Sequence, residues 1–397
     1  MKKIIKNLVL CMICLIGIGS VSYSVCATDI AENQEQEIME CIQGFFKNYE
    51  EENGPCNITY EMGTLKKYVT GLNKNDIICV TSRGKLISER KSFINTIKYM
   101  LERKSFILTY SEVDLKEYNK EVVVTPISID ITGDVANVEV EVYKKWNYSF
   151  SPDIQSECKD NYKVTLRNEG DVYRISDIVG FGDSIFDEFI SNANDKISFS
   201  MEKRLLDDVK NIITNQMYED DEYNIETYSS RAKATYNATK ATKYALNHAL
   251  SYNKDYADFN GYGGDCTNFI SQCLYAGGIT QHTGTAYSSN SWYYKSSTDR
   301  SATWTGADKF RNYVFGKSSK IDMEKSSWKN VINGDIIQLL DSDSSAYHSM
   351  IITGVANGSS GRSDLLICCH TKDRRHASLA MYFGGTTKSY YHVKGTK

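Results

Sequence analysis

From about Glu35 to Tyr49, apolar side chains recur at Ile38, Cys41 and Ile42, Phe45 and Phe46, and Tyr49. Spacing by three and four residues predicts an amphipathic helix. A second helix is expected near Ser88 to Arg103, after which the pattern changes to β-branched and aromatic residues broken by turn signals. Thr132-Gly133-Asp134 and Asn168-Glu169-Gly170-Asp171 each separate two such runs, as hairpin turns do. Four or five antiparallel strands are therefore expected between Phe106 and Val179.

Helices followed by a meander predict an α+β domain over residues 30–183, with the helices on one face of a curved antiparallel sheet, as in cystatin-like or NTF2-like superfolds. This half carries no cluster of titratable residues, which points to a structural or binding role for it. A helical stretch and the acidic run Glu219-Asp220-Asp221-Glu222 then read as a helix and linker over residues 184–227. Ala234, Ala238, Ala241, Ala245 and Ala249 return to helical spacing and open a second domain, 228–397.

The chain has 397 residues, 41% hydrophobic and 24% charged, enough for two or three domains with cores of their own. Its net charge of −4 gives no basic excess for a phosphate backbone, so no nucleic-acid partner is expected. At the N-terminus, Lys2, Lys3 and Lys6 precede an apolar run from Leu8 to Gly19 and small residues ending in Val25-Cys26-Ala27. Residues 1–27 are expected to be a secretory signal peptide, so the only membrane contact is transient and the mature chain is extracellular or associated with the cell wall. The apolar stretch is well short of the roughly 20 residues a membrane-spanning helix needs. Of the 11 cysteines, Cys11, Cys14 and Cys26 leave with the leader. The pairing of Cys41, Cys56, Cys79 and Cys158 is not readable from spacing.

One cysteine stands apart. Gly261-Tyr262-Gly263-Gly264-Asp265-Cys266 is a glycine-rich loop running into a short helix that Gly277-Gly278 stops. Asp265 is placed as N-cap and Cys266 as the first helical residue. A thiol there meets the positive end of the helix dipole, which favours the nucleophilic thiolate. Cys273, seven residues on, lies about 10 Å along the helix, too far for a disulfide to Cys266, and is expected in the core. A cysteine nucleophile needs a base. His248, His282 and His392 fit surface or packing roles, whereas His348 stands at the head of the apolar strand Ser349 to Val355. The run Leu365 to Cys369 ends in His370, a candidate to orient His348, with Asp373 as its competitor.

These motifs, in this order, resemble the amidase domain family of secreted Gram-positive proteins, related to NlpC-type and CHAP-type peptidoglycan hydrolases. The residues carrying the resemblance are Asp265-Cys266-Thr267-Asn268-Phe269, Gly334-Asp335, His348, and His370-Thr371 with Asp373-Arg374. The resemblance implies a papain-like α+β fold over about residues 230–397. It also implies a cysteine amidase or peptidase that uses Cys266 as nucleophile, His348 as base and His370 as the third polar member, acting on peptidoglycan or peptide without a cofactor. Thr267-Asn268 departs from the Ser-Gly that the relatives carry after the cysteine.

A metal reading of His370, Asp373 and His376 with Cys368 or Cys369 is opposed by Arg374 and Arg375, which repel a cation. Trp292, Tyr293, Tyr294 and Trp304 fit either a substrate rim or buried support for a long loop. The competing reading of the whole is a catalytically silent module that binds wall peptides or a protein partner.

Overall fold

A computed structural model describes residues 21–51, 63–65, 67–70, scattered positions from 93 to 111, and residues 113–181, 236–341, 343–355, 364–382 and 387–397. Most of the expected leader, the linker 184–227, the boundary at 228, and Cys56 and Cys79 lie outside them. Among the described residues, no helix is long and apolar enough to cross a membrane.

The amphipathic stretch at Glu35 to Tyr49 lies within α1 (Val21–Glu51). Its Ile38, Ile42, Phe45 and Phe46 are buried against Val138, Val140, Val164, Leu166 and Ile175 of the meander, the pairing of apolar stripe and apolar sheet face that their spacing demands. In the second expected helix, Phe93, Ile94, Ile97, Met100 and Leu101 are helical, and the remaining positions are outside the described residues. Four strands follow: β1 (Glu117–Thr132), β2 (Val135–Tyr148), β3 (Ser151–Asn168) and β4 (Tyr173–Val179). Both expected turns are present, closing Thr132 on Val135 and Asn168 on Tyr173.

The C-terminal half contributes α2 (Ala238–His248), α3 (Cys266–Ala276), one turn at Ala302–Thr305, and α4 (Ala307–Val314). Its strands are β5 (Ile321–Ser326), β6 (Ile336–Leu340), β7 (Ala346–Val355), β8 (Leu365–Cys369), β9 (Asp373–Ser378) and β10 (Thr387–Thr396). The molecule is thus mixed α and β, with few helices on a large antiparallel sheet.

The two halves share one ten-stranded sheet of order β1-β2-β3-β9-β8-β7-β6-β10-β5, with β4 also paired to β3. The seam is β3 against β9, with Glu157 opposite Arg375, Cys158 opposite Arg374 and Lys159 opposite Asp373. Arg374 donates to Asp160 at 3.0 Å, Arg375 pairs with Glu157, and the Ser156 hydroxyl donates to the His376 carbonyl at 2.6 Å. The paired arginines therefore serve as seam ion pairs, a role the sequence did not reveal.

Two clusters sandwich the C-terminal part of the sheet. Ile351 and Cys368 pack with Phe269, Ile270 and Cys273 of α3 on one face. Met350, Ile352, Cys369 and Tyr382 belong to the other. Cys368 and Cys369 thus face opposite ways, as adjacent strand residues must, and Cys273 is core as expected.

Candidate active site

Helix α3 is buried on every side from Cys266 to Leu274, including the polar residues Thr267, Asn268, Ser271 and Gln272. Buried polar groups must be hydrogen-bonded; Ser349 and Tyr244 partner Thr267 and Gln272, and the aromatic insert supplies the partners of Asn268 and Ser271. Trp304 Nε1 donates to Asn268 Oδ1 at 2.9 Å and Trp292 Nε1 to Ser271 Oγ at 3.0 Å. Trp292, Tyr293 and Trp304 are fully buried, so of the two readings of the insert the structure has support for the helix that carries Cys266.

Asp265 occupies the N-cap position, yet its side chain makes no capping bond to the helix. Its carboxylate is turned the other way. Oδ1 accepts from the Phe259 amide at 2.9 Å and from Asn268 Nδ2 at 2.8 Å, while Oδ2 lies 2.6 Å from His370 Nδ1. His370 Nε2 lies 2.8 Å from the His248 carbonyl oxygen. Both ring nitrogens thus face oxygen atoms at hydrogen-bond distance. The ring is clamped between Tyr252 and Phe269, with centroids 3.9 and 4.0 Å away and planes within about 22°.

His370 is therefore committed to Asp265, and its expected role of orienting His348 does not match its contacts. Asp373 accepts from the Tyr252 hydroxyl at 2.8 Å, on the side of His370 away from the sulfur's helix. Burial raises its carboxyl to about 6. Neither expected third member thus engages His348. A second tie holds the helix start: the Asp265 amide donates to Thr371 Oγ1 at 2.6 Å, and that hydroxyl donates to Asn260 Oδ1 at 2.9 Å. Gly264, at φ +114°, lets the loop pass close to this hydroxyl.

The Cys266 sulfur lies 3.7 Å from the Thr267 hydroxyl and is met by the amides of Ser349 and Thr267. Ser349 follows His348 in β7, so the strand predicted to bring the base does run past the thiol. Within that strand, Ser349 faces α3, its hydroxyl 3.0 Å from Thr267 Oγ1. His348 alternates with it onto the face of Met350 and Ile352, where its ring stacks on Tyr382 at 5.6 Å. An extra residue at Tyr347 bulges β7 just ahead of His348.

Burial pushes the Cys266 thiol up from its ordinary value, the three hydrogen bonds pull it down, and the Asp265 carboxylate adds to the rise. The sequence favoured a thiolate at the helix start. Desolvation outweighs the helix dipole, which contributes only about 0.3–1 kcal/mol in an ordinary setting.

Cys266 opens onto a cleft of about 440 Å³ whose walls include Tyr262, Gly263, Gly264, Arg300, Gly306, Asp308, Lys309 and Tyr347. Gly334-Asp335, part of the sequence signature, is remote from this chemistry. Asp335 caps the turn into β6 and accepts from the Ile332 and Val393 amides at 3.0 and 3.1 Å. His392 lies 3.1 Å from the same carboxylate. Among the described residues, no group of three His, Cys, Asp or Glu side chains is placed to hold a metal ion.

Residues 235–393 match the model of a family described as "Putative amidase domain". The chain is also 28% identical over 203 residues to an uncharacterized protein, YjcM, of Bacillus subtilis (strain 168), an alignment covering 49% of this chain and 44% of that protein. It thus spans less than half the length of that relative. No solved structure matches the chain.

Proposed function

We propose that the C-terminal half is a cysteine amidase acting on peptide amide bonds, and that in its setting those bonds belong to peptidoglycan. The observation that carries the reading is a cysteine at the first position of a buried helix, its sulfur met by strand and helix amides and opening onto a cleft. The family match at residues 235–393 supports amide hydrolysis, and the leader-like N-terminus supports action outside the cell.

In this mechanism the Cys266 sulfur attacks the amide carbonyl carbon as its proton passes to His348. The tetrahedral oxyanion collapses, the C–N bond breaks, and the histidine returns the proton to the leaving amine. Water then hydrolyses the thioester. Because burial keeps the thiol protonated, the base must act in the same step, and this requires His348, whose ring rests on Tyr382 across the sheet from α3, to shift its position along the bulged start of β7. The amides at the helix start are suited to stabilise the oxyanion. Asp265 and His370 position the cysteine and do not shuttle its proton.

One observation favours a second reading, a silent binding module: the His348 ring rests on Tyr382. Mass spectrometry of muropeptides released from purified cell wall separates the two. The amidase reading expects new termini from the wild-type protein and none from Cys266→Ala or His348→Gln. Tight wall binding with no released fragments from wild type would establish the second reading.

A further inference from the structure

The cleft in front of Cys266 holds a cation whose placement no catalytic step uses. Arg300 lies in its wall, with the guanidinium carbon 4.3 Å from the centre of the Phe259 ring and 5.1 Å from that of Tyr287. Its main chain is fixed as well, since the Tyr287 amide donates to the Arg300 carbonyl at 2.7 Å. One terminal nitrogen is bonded to the Ser297 carbonyl. Nε is buried and, among the described residues, has no hydrogen-bond partner.

A guanidinium packed over two aromatic rings keeps donors for a ligand and has little rotamer freedom left to lose. The rest of the cleft carries one charge of each sign. Lys309 adds a second cation, while the Asp308 carboxylate is occupied by Asn312 Nδ2 at 2.7 Å and by the Ala346 amide at 3.3 Å.

Resting on the amidase reading, we infer that Arg300 selects substrates bearing a carboxylate close to the bond cleaved, by pairing with that carboxylate as the amide carbonyl reaches Cys266. Arg300 then sets specificity and takes no part in bond making. The carboxylate has two sources, a free C-terminus on the residue after the scissile bond or an acidic side chain at that position. The planar fork fits either, because both present the same two oxygens.

The test is the rate at which Cys266 is alkylated, followed by intact mass and peptide mapping, using three bromoacetyl probes. Bromoacetyl-alanine carries a C-terminal carboxylate, bromoacetyl-alaninamide none, and bromoacetyl-glutamic acid α-amide a side-chain carboxylate. In each case sulfur displaces bromide at the acetyl carbon. Wild type should react about ten-fold or more faster with one of the acidic probes than with the neutral one, the size of a charge-assisted hydrogen bond. Whichever acid is faster identifies the source. Arg300→Gln should bring that ratio to within about two-fold, and Arg300→Lys should retain part of it. The neutral probe's rate in each variant checks that the cleft is still folded. Equal rates for all three probes in wild type, or a preference unchanged in Arg300→Gln, would overturn the inference while leaving the nucleophile intact. A Cys266 that no probe alkylates in folded protein would overturn the amidase reading and the inference with it.

Discussion

The Asp265–His370 pair is the most constrained contact near the thiol: the two side chains are buried to within 1% exposure, 2.6 Å apart, and clamped between two rings. Removing one partner leaves the other's charge buried and alone, which typically costs 3–5 kcal/mol. Asp265→Ala is therefore expected to lower the unfolding free energy by about that amount, measured by urea denaturation. A double-mutant cycle with His370→Gln should show strong coupling, since the two act as one unit. If each substitution cost under about 1 kcal/mol, the pair would not brace the helix start. The raised thiol makes a separate prediction. Alkylation of Cys266 by iodoacetamide should climb with pH beyond the range of an exposed cysteine, with no plateau near neutrality. A plateau below pH 7 would mean that the thiolate is preformed.

His376 titrates in a different window. Burial, then Arg375, lowers its imidazole to about 4, against an ordinary value of 6.5. A folded value below the unfolded one means the contribution is complete above pH 6.5 and is lost as pH falls towards 4. By linkage this amounts to on the order of 3 kcal/mol at most. Asp373 runs the other way: its carboxyl is raised to about 6, so folding favours its protonated form and this contribution fades as pH climbs from about 4 to 6. Melting curves across pH 4–7 for wild type and His376→Gln should differ most at the acid end.

At the scale of elements, glycine positions mark where the backbone is tightest. Gly334 has φ +92°, and a Cβ there would sit 2.8 Å from the Ala238 Cβ at the start of α2. Gly334→Ala is expected to cost about 1–3 kcal/mol, read as a lower melting temperature, because left-handed strain and a clash combine. The sequence made much of this level legible. Periodicity located α1, turn residues located two hairpins, and the glycine loop with its Gly-Gly stop framed α3. What it left out depended on contacts remote in sequence. Nothing around His370 signals that its partner is Asp265, 105 residues earlier, or that Tyr252 will cover its ring. Side-chain direction was equally hidden, because the apolar run after His348 is buried on both faces and shows no alternation from which to read which way the histidine points.

Across the whole molecule, the sheet does not stop where composition changes. Arg374 and Arg375 of β9 pair with Asp160 and Glu157 of β3, so residues 236–397 produced alone would expose an edge strand carrying two cations without their partners. Such a fragment is expected to aggregate or to melt well below the full chain, as size-exclusion chromatography and calorimetry would reveal. A soluble, equally stable fragment would mean that the seam contributes little. Charge reversal offers a finer probe. Glu157→Lys should destabilise the full chain, and Glu157→Lys with Arg375→Glu should restore part of the loss.

The same seam orders events in time. Its ion pair between Glu157 and Arg375 joins residues 218 apart, a long loop to close and a slow contact to find. During synthesis β3 emerges first and waits with one edge open, while β9 and the His370 turn beside it come off the ribosome some 218 residues later. The thiol-bearing helix is made before its brace. A nascent chain therefore gains its positioned cysteine only as β9 and the His370 turn dock, so the helix start stays unbraced through the synthesis of everything between β3 and β9.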